Sequence, residues 1–154
     1  MSLRERIEHD FHEARKTRQP EELSALRMLK SSLQNAAIEK RGALTDNEAL
    51  KVVRTEIKRR KESARTYRSA GRAELAEHEE FEQSVYERYL PVAMEVDVLR
   101  ALVRRVIEDT QAQGAGDTGR VMGSVMQEVA GRVEGNAVKE IVQRELAQRP
   151  AAKN

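Results

Sequence analysis

An all-α fold is what this sequence predicts, on three observations. Apolar residues recur at helical steps of three and four along most of the 154-residue chain, and no stretch alternates as a half-buried strand would. Helix start and stop signals punctuate that pattern at regular intervals. Charged residues make up 35% of the chain and aromatic residues only 3%, which suits long solvent-facing helices around an aliphatic core. The expected architecture is an N-terminal helical domain with a long basic helix, residues 1–90, and a small C-terminal three-helix domain, residues 92–149. Residues 150–154 are expected to form a flexible tail.

The elements follow in order. Ser2 and Glu5 form a capping box that opens a helix with Leu3, Ile7, Phe11 and Ala14 on one face. Pro20 suits the first turn of a second helix, because its missing N–H would have no partner there anyway. That helix carries Leu23, Leu26, Leu29, Leu33, Ala36 and Ala37 and is expected to end near Gly42. Thr45 and Glu48 form a second capping box. The helix they open buries Leu50, Val53, Ile57, Ala64 and Tyr67 and stops at Gly71. A fourth helix carries Leu75, Phe81, Val85 and Tyr89, and Pro91 ends it by pushing its predecessor out of helical geometry. Beyond Pro91, Leu99, Leu102, Val103, Val106 and Ile107 mark a fifth helix. A Gln113–Gly116 loop and two short helices complete the chain.

Composition excludes several kinds of chemistry. With no cysteine there is no disulfide, thiolate nucleophile or Cys-based zinc site. No Gly-rich phosphate loop and no Gly-x-Ser-x-Gly elbow occurs. His9 and His12, three apart beside Asp10 and Glu13, are the nearest approach to a metal site, but a structural site needs about four supported ligands. No metal, cofactor or catalytic residue is therefore assigned. No apolar run approaches the roughly 20 residues that span a bilayer, and no charged-then-apolar leader is evident. The expectation is a soluble cytoplasmic protein.

The strongest signal in the first domain is positional charge. Lys51, Arg54, Lys58, Lys61, Arg65, Arg68 and Arg72 follow alternating steps of three and four. On a continuous helix they form a stripe about 100° wide and roughly 31 Å long. Residues 51–72 hold nine Lys or Arg against two Glu. Cations at one-turn spacing suit a phosphate backbone, which they bind without sequence preference. The scarcity of aromatic residues argues against a single-strand stacking platform and favours structured RNA. The competing expectation is a solvated or internally paired face, since residues 73–87 carry six Glu, among them Glu74, Glu77 and Glu80.

The last third of the chain is the most specific. Asp117 is placed to cap a helix. Gly119 and Gly123 lie four apart on one helical face, where a missing side chain admits another backbone. Gly131 and Gly135 bracket a turn, and Asn136 is placed to cap the final helix, which carries Val138, Ile141, Val142 and Leu146. Met122 and Met126 with Val125 and Val129 form a stripe suited to the core.

The segments Asp117–Gly123 and Gly131–Val138, with Leu23–Asn35, Ala70–Ala76 and Tyr89–Pro91, resemble the GatB/YqeY tail-domain family. That domain ends the B subunit of the tRNA-dependent amidotransferase and also occurs as a small free-standing protein, which the length here favours. The resemblance implies a helical appendage that helps hold tRNA while the amide-transfer chemistry resides elsewhere. Carbon–nitrogen ligase activity with glutamine as amide donor is implied only by that association. Carried over by position, the tRNA-facing candidates are Gly119, Arg120, Gly123, Gly131, Arg132, Gly135 and Lys139. The chain departs from the pattern at Gln127, Glu128 and Ala130, where basic residues and proline are common, and at Glu134 and Glu95. Residues 92–154 carry equal numbers of basic and acidic residues. The expected function is a non-catalytic tRNA-binding accessory of amidation. The alternative is a protein-interaction module docking on a synthetase, an amidotransferase or a ribosome-associated complex, centred on Met122 and Met126.

Overall fold

A computed structural model describes residues 1–149; the tail expected over 150–154 lies outside them. Seven α-helices and one 3-10 turn account for the regular structure, and no strand occurs among the described residues. The chain divides into two compact units, Met1–Leu90 and Pro91 onward.

The first unit holds α1 (Leu3–Lys16), α2 (Pro20–Lys40), α3 (Asp46–Ser69) and α4 (Ala73–Glu87). α3 and α4 fold back on each other and form the most extensive helix pair. Ile7, Leu26, Leu29, Val53 and Tyr86 are sealed from solvent in one aliphatic core. Tyr86 also donates its hydroxyl to the Ala25 carbonyl at 2.7 Å, which ties α4 to α2. Its phenol is therefore satisfied although buried, as a buried hydroxyl must be.

Local signals explain most helix ends. Both capping boxes form. α2 ends near Gly42 as expected, and a non-glycine residue, Arg41 at φ +61°, takes the left-handed cap. Arg41 N–H bonds the Ile38 carbonyl there. α3 ends at Ser69, two residues before Gly71 turns the chain at φ +73°, which puts Arg72 off the helix, at the N-cap of α4. α4 stops at Glu87, and Tyr89 and Leu90 tighten the last turn through i to i−3 bonds before Pro91. Leu75, expected in the core, is 42% exposed near the start of α4.

The second capping box carries a pH prediction. Glu48 accepts from Lys40 Nζ at 2.6 Å and from the Thr45 N–H at 2.8 Å. The Lys40 bond first, and the Thr45 backbone bond next, hold its carboxyl at about 2 instead of the usual 4.5. A depressed folded-state pKa adds stability above the unfolded value, and that stability is lost as pH falls from 4.5 towards 2. Glu48→Gln is expected to remove that part of the acid limb in urea titrations run at successive pH values. Thr45→Ala should cost about 1 kcal/mol of cap stability at neutral pH.

The second unit holds α5 (Val96–Asp109), the 3-10 turn Ala115–Asp117, α6 (Thr118–Val129) and α7 (Gly135–Ala147). Its core is valine-rich, with Val103, Val121, Val125, Val129, Val138 and Val142 fully buried around Leu99 and Leu146. Two cap assignments are corrected here. Asp117 does not cap α6 through its side chain but turns back to accept from the Gln113 N–H at 2.7 Å, bracing the preceding loop. Glu134, not Asn136, is the N-cap of α7, and Asn136 lies within the first turn. Ala130 and Gly131 take consecutive left-handed conformations at φ +47° and +79°. The turn therefore leans on Gly131, whereas Gly135 is the first residue of α7.

Candidate nucleic-acid interface

α3 is a single 24-residue helix whose apolar arc is fixed in the core, so its basic arc is left facing outward. Lys51, Lys58, Lys61, Arg65 and Arg68 are exposed on it, Arg72 is exposed just beyond its end, and Arg54 is half-buried. Folding α4 back against α3 neutralises part of the stripe. Arg68 forms a two-bond fork with Glu80, at 2.8 Å on each arm, and Lys61 lies 3.9 Å from Glu87. Of the three glutamates expected to act this way, Glu80 pairs directly. Glu77 acts on Arg68 only through space, and Glu74 is exposed.

Lys51, Lys58 and Arg65 remain on the helix, with no carboxylate within ion-pair reach among the described residues, and Arg72 beyond its end has none either. They recur every seven residues, two helical turns, so they lie about 10.5 Å apart along α3 and drift by only about 20° per step.

The second unit is different. Arg120 pairs with Asp117 at 3.0 Å. Arg100 and Arg104 share Glu145, Arg105 takes Glu128, and Arg144 takes Glu140. Arg132 donates from Nε to the Val92 carbonyl at 3.0 Å while its own carbonyl accepts from the Met94 N–H. It therefore fastens the segment before α5 to the α6–α7 turn. Lys139 is exposed and without a carboxylate partner among the described residues.

Gly119 and Gly123 are exposed on α6, and a Cβ built on either meets nothing within 4 Å. This overturns packing within the second unit as their reason. Glycine in a helix interior costs about 1 kcal/mol relative to alanine. Gly123→Ala is thus expected to stabilise the second unit by about 1 kcal/mol, and Gly119→Ala by less, because it lies in the first turn. Thermal unfolding checks both. Met122 and Met126 are half-buried against the α5–α7 core, as their spacing suggested.

The sequence reading missed the most buried polar cluster. Arg60 on α3 is only 8% exposed. It donates from Nε to Glu82 at 3.0 Å and from Nη1 to Glu56, and its guanidinium lies 5.1 Å from the Tyr86 ring centre. Burial works against its charge, but Tyr86, Glu82 and Glu56 outweigh burial and raise its pKa. Outside this core, Arg59 reaches Glu56 at 2.8 Å and His78 reaches Glu82 at 3.2 Å. A signal did exist: the core stripe of α3 runs 50, 53, 57, 60, 64, 67, and position 60 alone is charged.

His9 and His12 are both exposed and pair separately with Asp10 and Glu8. No group of three or more metal-type side chains occurs among the described residues. No helix of the described residues is long and apolar enough to cross a membrane.

Comparisons with known proteins agree with the segments quoted above. The chain is 26% identical over 130 residues to a Pyrenophora tritici-repentis protein named "Altered inheritance of mitochondria protein 41, mitochondrial"; the match covers 82% of this chain and 71% of that protein. It is 33% identical over 76 residues to an uncharacterised Schizosaccharomyces pombe protein, covering 49% of this chain and 62% of the relative. A family model described as "Yqey-like protein" matches residues 4–146, which is nearly every described residue. The chain belongs to the YqeY-like protein family.

Proposed function

We propose that this chain is a non-catalytic RNA-binding accessory protein that holds tRNA during amidation of misacylated tRNA. The observation that carries the RNA part is the row Lys51, Lys58 and Arg65. Three exposed cations without carboxylate partners recur at two-turn spacing on one rigid helix. Such a row supplies phosphate affinity and orientation without reading sequence. The link to amidation rests on the resemblance to the amidotransferase B-subunit tail.

The exposed glycines Gly119 and Gly123 give a second surface to the same reading. They lower helix stability and gain no contact within their own unit, which suits close approach by an RNA backbone. The alternative, docking on a synthetase, amidotransferase or ribosome-associated protein through Met122 and Met126, is weakened because both methionines already pack on their own core.

The test is binding of purified protein to bulk tRNA across a salt series. Wild type should bind with a steep negative log–log salt slope, and the Lys51→Glu, Lys58→Glu, Arg65→Glu variant should lose both affinity and slope. Absence of binding by wild type at low salt would sink the proposal. In the same assay Gly123→Ala should bind tRNA more weakly although it folds more stably.

A further inference from the structure

Beside the cation row, the α2–α3–α4 assembly leaves an open depression of about 720 Å³, and nothing above gives it a role. Its floor is the Arg60–Glu82 pair, with Glu56 bonded to Arg60 and the His78 ring 3.2 Å from Glu82. Its rim is where unused chemistry lies. The carboxylates of Glu62 and Glu79 have no cation partner among the described residues. Tyr67 and Met28 are partly exposed there, and Arg59 has a side chain that is 66% exposed although its Nη1 is held by Glu56.

The geometry points to a nucleobase site, with guanine as its occupant. This deepens the RNA-binding reading and rests on it. Free carboxylates repel phosphate, so the depression is not an extension of the phosphate track. They accept hydrogen bonds from base edges, as protein carboxylates do from amino groups of bases. Guanine offers N1–H and the exocyclic N2 amino group side by side, so one carboxylate oxygen can accept from each. Adenine and cytosine offer a single amino group. Unstacked RNA bases stack on aromatic rings, and Tyr67 supplies one on this rim. A volume of this size lies within the range of small-ligand sites.

Position along α3 supports the same assignment. Lys58 and Arg65 of the row are followed by Arg59 and Thr66, and both of these line the depression, as does Glu62. One residue on is about 100° around the helix, or about 10 Å along a cylinder about 11 Å across. A nucleotide whose phosphate rests on the row can therefore lay its base across this flank.

The experiment uses guanosine, inosine and adenosine monophosphates with full-length protein, read by NMR. Tyr86 and Tyr89 are buried, so Tyr67 and the Met28 methyl are the reporters. Guanosine monophosphate should shift both resonances saturably. Inosine monophosphate, which lacks only the N2 amino group, should bind at least about tenfold more weakly, the scale of one charge-assisted hydrogen bond. Glu62→Gln with Glu79→Gln, both on the rim, should remove that preference while leaving the helical circular dichroism unchanged. Lack of a saturable shift, or equal affinity for the three nucleotides, overturns the base site. If guanosine monophosphate binds selectively but tRNA does not bind, the tRNA reading fails and the base site stands. If tRNA binds through the row and no nucleotide binds, the reverse holds.

Discussion

Arg60→Ala is expected to destabilise the first unit by about 3–5 kcal/mol, the cost of stranding buried charge when one partner of an ion pair is removed. Glu56 and Glu82 are each only 4% exposed and would lose the guanidinium between them. What stays within reach is a surface arginine on Glu56 and a half-exposed histidine on Glu82. The substitution also removes the planar group lying against Tyr86, whose hydroxyl bond to Ala25 joins α4 to α2. A loss of that size is a large share of the roughly 5–15 kcal/mol that stabilises a typical domain. Urea titration of wild type and variant measures it, and a difference below about 1 kcal/mol would show that the cluster contributes little. The companion variant Arg60→Met, Glu56→Leu, Glu82→Leu removes all three charges together. It should recover most of the loss, since apolar replacement of a whole buried ionic cluster is often neutral or stabilising. Recovery would identify the destabilisation of Arg60→Ala as stranded charge rather than lost packing.

That cluster also marks where sequence reading stopped working. Helix identity was legible because apolar residues recur at steps of three and four, as Leu26, Leu29 and Leu33 do on α2 and Leu99, Val103 and Val106 on α5, and because Ser2–Glu5 and Thr45–Glu48 close their caps within four residues. Information that local can be read from a single chain. The cap of α7 was misassigned because Glu134 takes the N-cap conformation without any side-chain bond to announce it. Arg41 was missed because a left-handed arginine one residue before a glycine leaves no signature distinct from the glycine itself. The candidate site was half legible. Spacing gives the arc of the basic residues, but which cations stay unpaired depends on how α4 folds back. Glu80 reaches Arg68 and Glu87 approaches Lys61, whereas Lys51, Lys58 and Arg65 are bypassed. Pairing across 12 or more residues is a tertiary property, and no local pattern encodes it. The emptiness around Gly119 and Gly123 is of the same kind, since a glycine pair reads identically whether it faces a neighbour or open space.

The triple charge reversal Lys51→Glu, Lys58→Glu, Arg65→Glu is expected to have the largest effect on binding. Each phosphate neutralised by a cation contributes about 0.7–0.9 to the log–log salt slope, through counterion release. Removing three contacts should therefore flatten the slope by about 2–3, and the added negative charges should repel phosphate further. The effect on folding should be small, because all three side chains are exposed, lie off the apolar arc and have no carboxylate partner to strand. Reversal of Arg68 is the matched control. Its charge is already taken up by Glu80 in a two-bond fork, so Arg68→Glu should change the salt slope less than any single member of the row, although it places two carboxylates together. If Arg68→Glu and Lys58→Glu reduce the slope equally, general charge rather than the unpaired row governs affinity. A larger effect at Lys58 would mean that the fold of α4 has selected which cations of the stripe meet RNA.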